Sequence, residues 1–197
     1  MTYAELTAAI ASWMHRSDLT SQIDTFIDLT EAAINRELRT IEMESATTVS
    51  ASATVALPAG FIEMRSIKLD VNPAHPLEYA PPYTRDALND GASGEPKYYT
   101  LADDVIYLMP SPDSAYNTTI SYYKQITPLD ATNTTNFLST SHPDLYLHGC
   151  LQQACMYTRD PQMGLAHKQE FETLLGRVNR EGNKSRWSGS PKVVRAF

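Results

Sequence analysis

Apolar residues recur at helical spacing at both ends of the chain and at strand spacing in between. Thr2 and Glu5 form a capping-box pattern, and Leu6, Ile10, Trp13 and Met14 follow at helical intervals, which predicts a helix over 2–16. Ser17-Asp18 breaks that helix and caps a second one over about 19–40. Its apolar stripe is Ile23, Phe26, Ile27, Ile34, Leu38 and Ile41, with Asp24, Asp28, Glu31 and Arg39 off it. So short a break predicts a helical hairpin. Helical spacing returns after residue 140. Ser141-His142-Pro143-Asp144 reads as a helix start with proline in the first turn. Leu147, Leu151 and Ala154 share a face there, and Tyr146, Cys150 and Tyr157 broaden it, so the 141–158 helix is expected to be buried on much of its circumference. Asp160-Pro161 starts a further helix, with Asp as N-cap and Pro at the first helical position. Phe171, Leu174, Leu175 and Val178 give its stripe, and Gly182 reads as its C-terminal stop.

Between these ends the period changes. Residues 44–140 hold nine of the twelve prolines and eight of the eleven tyrosines. Ser45 to Thr54 is rich in Ser, Thr and Ala and suits strand or loop. Pro58-Ala59-Gly60 reads as a turn, and Ile67, Leu69 and Val71 alternate with Lys68 and Asp70 as in a half-buried strand. Tyr98–Leu101 and Val105–Met109 flank Ala102-Asp103-Asp104, a hairpin pattern, and Ile120, Tyr122 and Ile126 mark another strand over about 117–126. The prolines and glycines of 73–96 exclude long regular structure, leaving room for a short helix at Thr84–Asn89. In the pairs Tyr98-Tyr99 and Tyr122-Tyr123, one ring should face inward and one outward.

The predicted fold class is α+β, mainly α. Amphipathic stripes from both chain ends must bury against one another, which predicts a four-helix bundle carrying a β-rich insert and an extended C-terminal arm. The corresponding domain reading is helical bundle over 1–43 and 141–182, insert over 44–140, and arm over 183–197.

Charge sharpens the arm. The chain carries −7 overall; Lys184, Arg186, Lys192 and Arg195 have no acidic residue beside them beyond position 182, which leaves the first 182 residues at −11. The same segment carries Trp187, Val193, Val194 and Phe197 among Gly, Ser and Pro breakers. A solvated tail has no need of those apolar groups. An arm that docks on an acidic partner uses both, cations for steering and apolar side chains for anchoring. The acidic body argues against general nucleic-acid binding, which needs cations to displace phosphate counterions. No window approaches about 18 apolar residues, so no membrane span is expected. The N-terminus lacks the basic start and apolar run of a secretory signal. Cys150 and Cys155 point to different faces of one helix and are not expected to pair, which suits a protein made in a reducing cytosol.

Catalytic chemistry is not evident. There is no G-x-S-x-G elbow, Walker loop, G-x-G-x-x-G or H-E-x-x-H. His142, His148, Cys150, Cys155 and His167 match no paired-cysteine zinc spacing, so no metal or cofactor is expected. Asp103-Asp104 is explained by turn chemistry, and Glu42, Glu44 and Glu63 carry no motif. The second helix opens with Asp18, Asp24 and Asp28, which would repel phosphates in a helix-turn-helix reader. An enzyme is therefore not expected. An acidic body, a basic apolar-tipped arm and a tyrosine- and proline-rich insert describe an assembly component.

Four ordered segments add a resemblance. They are Leu57-Pro58-Ala59-Gly60-Phe61-Ile62-Glu63-Met64-Arg65-Ser66-Ile67; Gly94-Glu95-Pro96-Lys97-Tyr98-Tyr99-Thr100-Leu101; Ile106-Tyr107-Leu108-Met109-Pro110-Ser111-Pro112 with Ile120-Ser121-Tyr122-Tyr123; and Thr135-Asn136-Phe137-Leu138 with His142-Pro143-Asp144-Leu145-Tyr146-Leu147. Over roughly residues 2–182 their order resembles the head-to-tail adaptor (connector) proteins of short-tailed bacteriophages. The resemblance implies a structural virion protein at the head-tail junction. It implies a homo-oligomeric ring, usually a dodecamer, bound under the portal protein. Such a ring extends the channel through which double-stranded DNA passes without specific binding, and it offers a platform for tail or nozzle proteins. It also implies that a C-terminal segment reaches the portal; here that segment holds Lys184, Arg186, Trp187, Lys192, Val193, Val194, Arg195 and Phe197. Tyr146, Cys150 and Tyr157 are the subunit-interface candidates, because a broad helix face can exceed what one protomer covers. The alternatives are a tail-completion or stopper protein, a virion-associated cell-wall hydrolase and a DNA-binding regulator.

Overall fold

The computed structural model describes residues 1–88, 91 and 93–187. In chain order the elements are α1 (Tyr3–Met14), α2 (Thr20–Glu37), β1 (Glu44–Ala51), β2 (Thr54–Ala56), β3 (Phe61–Leu69), β4 (His75–Pro76), β5 (Glu78–Tyr79), α3 (Arg85–Leu88), β6 (Tyr98–Ala102), β7 (Val105–Met109), β8 (Tyr116–Lys124), α4 (Phe137–Ser141), α5 (Pro143–Tyr157) and α6 (Pro161–Trp187). The chain divides into two compact units. One is Met1–Met43 with the chain from Ile126 onward, and the other is Glu44–Gln125.

In the helical unit the predicted starts form as their side chains dictate. Thr2 and Glu5 make the capping box of α1. Asp160 accepts from the Met163 N–H at 3.2 Å and from the Gly164 N–H through its own carbonyl at 3.1 Å, opening α6 in front of Pro161. The α6 stripe is buried as its spacing requires: Phe171, Leu174, Leu175 and Val178 all face the interior. Each such side chain contributes about 1.5–3 kcal/mol relative to exposure.

The expected four-helix bundle is not what forms. The structure is 46% helical and 25% strand, with two four-stranded sheets. The helices α1, α2, α4 and α6 all pack on α5. A bundle helix shows one face to a shared centre, but α5 is itself the centre. Leu145, Tyr146, Leu147, Gly149, Cys150, Leu151, Ala154 and Cys155 bury nearly its whole circumference. The stripes of the other helices are therefore spent mainly on α5, with a smaller contact between α1 and α2. A Cβ on Gly149 would collide with Thr30 Cγ2 and lie 3.0 Å from Phe171 Cε2, so the absence of a side chain lets α2 and α6 both close on α5.

The stop expected at Gly182 is corrected too. Gly182 does not stop α6, which continues to Trp187. Gly182 is buried against Thr40, where a Cβ would lie 2.9 Å from Thr40 Cγ2. The glycine serves close approach of α6 to the chain after α2, and the helix passes straight through it.

The β unit holds two sheets, ordered β1-β8-β3-β4 and β2-β7-β6-β5. Their strands share one core. Ile67, Leu69, Ile120 and Tyr122 come from the first sheet, and Val55, Ile106 and Leu108 from the second. Ile67 and Ile120 sit opposite one another on β3 and β8, and Thr48 and Thr119 join their hydroxyls at 2.9 Å across β1 and β8. The expected hairpin joins β6 to β7, pairing Ala102 with Val105. Asp103 and Asp104 have φ of 51° and 59°, the left-handed pair that a two-residue type I′ turn demands. Tyr122 and Tyr123 take opposite faces but neither is exposed. Tyr122 stacks on Phe61 at 5.8 Å, and Tyr123 lies under the Arg65 guanidinium at 5.4 Å. Among the described residues of 73–96, the named elements are the two-residue strands β4 and β5, a 3-10 turn at Pro82–Thr84 and the four residues of α3.

Candidate functional site

Packing α2 and α6 on one central helix leaves a groove between them. Its volume is about 490 Å³. Thr30, Ala33, Gly149, Phe171 and Leu175 supply small or apolar surface, and Arg36, Glu37, Lys168 and Glu172 supply charge. Asn179 of α6 is also part of the lining; it donates to the Glu37 carbonyl at 3.0 Å and accepts from the Arg39 N–H at 2.9 Å, tying α6 to the end of α2. Lys168 and Glu172 pair along α6 at 3.8 Å. The charges of the groove balance, Arg36 and Lys168 against Glu37 and Glu172.

A buried polar network holds this framework in register. Glu31 lies inside the helical unit, although its charge assigned it to the polar face of α2. Its Oε1 accepts from the Leu129 N–H at 2.8 Å and from the Tyr146 hydroxyl at 2.9 Å. The Tyr146 hydroxyl accepts in turn from Asn136 Nδ2 at 2.7 Å, and Nδ2 also donates to the Thr127 carbonyl at 2.8 Å. Asn136 and Ser139 complete a capping box on α4. Asn35 Oδ1 accepts from the Ile126 N–H at 3.0 Å, so two α2 side chains stitch 126–140 to the helices. Burial holds the Glu31 carboxyl above the ordinary carboxylate range, partly offset by the two donors. Burial, then the Glu31 charge, also pushes the Tyr146 hydroxyl up. Spacing could have found Glu31, since it lies four residues after Ile27 and three before Ile34.

Three further side chains meet across α1, α5 and α6. His148 and His167 approach with their Nδ1 atoms 3.0 Å apart. Trp13 sets its indole against both imidazoles, with ring centroids at 6.0 and 6.2 Å. Burial, then the neighbouring His148, pulls the His167 pKa down.

The sequence-predicted site residues are distributed as follows. Tyr146 and Cys150 are both 0% exposed and lie wholly in the interior of their own helical unit. The Cys150 thiol is pushed up to about 12 by burial, against a hydrogen bond with Thr30, with the Glu31 charge adding to the rise. Tyr157 is 56% exposed and rests its ring edge against Phe26 at 5.7 Å. Of these three only Tyr157 is presented outward, and it stands beside exposed Met156 and Met163 around the α5–α6 turn. Cys150 and Cys155 are both free and buried. Lys184 is exposed on the last turns of α6, and Arg186 and Trp187 fall within that helix. Lys192, Val193, Val194, Arg195 and Phe197 lie outside the described residues. Among the described residues, no group of three or more His, Cys, Asp or Glu gathers as a metal site, and no helix is long and apolar enough to cross a membrane.

Compared with protein-family models, the chain matches the one described as SU10 adaptor protein over residues 1–195. Among curated proteins nothing matches it.

Proposed function

The chain belongs to the SU10 adaptor protein family, a phage head-to-tail adaptor family, and from that premise we propose that it builds a ring beneath the portal of the virion. Family membership makes it a structural component of the head-tail junction. The observation that carries the finer reading is the span of the match, which takes in both units and runs on past α6 to residue 195.

In this reading the exposed apolar surface at the α5–α6 turn, Met156, Tyr157 and Met163, supplies the contact between protomers. A heterologous contact of that kind closes into a ring when its rotation allows, and the family resemblance implies twelve copies. The −11 of the first 182 residues supports an acidic channel, which lets a phosphate backbone pass without being gripped. The β unit is the platform for tail or nozzle proteins. The segment from Asn183 to Phe197 docks on the portal, with Lys184, Arg186, Lys192 and Arg195 steering and Trp187, Val193, Val194 and Phe197 anchoring. No catalytic step is assigned to the chain.

Co-sedimentation with purified portal rings tests the docking role. The full chain should pellet with the portal, and a chain ending at residue 187 should lose most of that binding while keeping its helical circular dichroism. Undiminished binding by the shortened chain would overturn the role of the segment.

A further inference from the structure

The His148–His167–Trp13 cluster is not used by the assembly reading. Its geometry is nonetheless specific. His148 comes from α5, His167 from α6 and Trp13 from α1, and both α1 and α6 pack on α5, so rigid elements fix the three positions. The two imidazoles turn the same atom toward each other, Nδ1 to Nδ1 at 3.0 Å, with ring planes 42° apart. Trp13, itself 54% exposed, walls one side of the pair with its indole; His148 is half-buried and His167 buried.

We propose that His148 and His167 form a bidentate site for a divalent transition-metal ion of the Cu2+ and Ni2+ class. Metal–imidazole bonds are about 2.0–2.1 Å long. Two such bonds to nitrogens 3.0 Å apart close at roughly 91–97°. That is the cis angle of tetragonal or octahedral coordination and is narrower than the tetrahedral angle zinc prefers. Without metal, one imidazole donates its Nδ1–H to the other's Nδ1 lone pair. On binding, that proton moves to Nε2 of the same ring, both Nδ1 lone pairs coordinate the ion, and no electron transfer is involved. Among the described residues no third protein ligand joins the pair, so water fills the remaining positions. A bound ion would staple α5 to α6 at the end where the exposed apolar surface lies.

The test is calorimetric titration of untagged full-length protein with NiCl2 at constant pH, with tryptophan fluorescence followed in parallel. One ion should bind per chain, quench Trp13 fluorescence and raise the unfolding midpoint. His148→Gln and His167→Gln should each remove the chelate advantage, weakening binding on the order of 100-fold. Trp13→Phe should keep the binding heat and lose most of the quenching. The exposed His75 in the other unit serves as the control: His75→Gln should leave the binding unchanged. Circular dichroism of each variant separates lost ligation from lost folding. Absence of saturable binding by the native chain, or equal binding by the folded double variant His148→Gln/His167→Gln, would overturn the assignment.

Discussion

Replacing Glu31 with alanine strips a buried acceptor from two donors, the Leu129 N–H at 2.8 Å and the Tyr146 hydroxyl at 2.9 Å. Each buried donor left without a partner costs about 1–3 kcal/mol. Alanine should therefore destabilise the helical unit by about 2–5 kcal/mol. Glutamine keeps an acceptor oxygen at the same reach and discards the buried charge, so Glu31→Gln should stay within about 1 kcal/mol of the native chain near neutral pH. The pH dependence has a definite sign. Burial raises the folded-state pKa of Glu31 above its ordinary value. The contribution of that group to stability is fullest below the ordinary carboxylate range and is lost as pH rises through the raised value. The stability of Glu31→Gln relative to the native chain should therefore grow across that window and level off above it. Urea unfolding followed at the helical circular dichroism band, at several pH values, reads all three quantities. A double-mutant cycle with Tyr146→Phe should return a coupling of about 0.5–3 kcal/mol. Alanine and glutamine variants of equal stability, or an alanine variant within about 0.5 kcal/mol of the native chain, would refute the network as a structural element.

Two other consequences are open to direct measurement. Gly149→Ala should destabilise the helical unit by about 1–3 kcal/mol, because its Cβ would press on Thr30 and Phe171 where α2 and α6 close on α5; urea unfolding would show it. Both cysteines should resist a thiol reagent near pH 8 in the native protein and react fully in denaturant. Both are buried, and the Cys150 thiol is held at about 12.

What could be read from the sequence was largely local. The Thr2/Glu5 box, the Asp160-Pro161 start, the stripe from Phe171 to Val178 and the Asp103-Asp104 turn are each fixed by residues within about one or two helical turns of one another. What escaped depends on tertiary context. The hub role of α5 follows from four helices choosing one partner, and an apolar period does not name its partner. Glu31 was assigned to solvent because it is charged, although its position between Ile27 and Ile34 put it on the buried stripe. Gly182 carried the composition of a stop but serves close approach to Thr40. The pairing of β1 with β8 joins Glu44 to Tyr123, a long-range choice that alternation alone cannot specify. Of the candidate site, the broad apolar face of α5 was legible. Tyr146 and Cys150 turned out to be interior to the protomer, which leaves Tyr157 as the outward member. The meeting of His148 with His167 joins two helices across a turn, and no spacing motif encodes it.

Native mass spectrometry of the chain alone and mixed with purified portal rings tests the central claim most directly. The account predicts that the chain adds to the portal in one copy per portal subunit, as a closed ring. A mixture in which portal and chain keep their separate masses would contradict it.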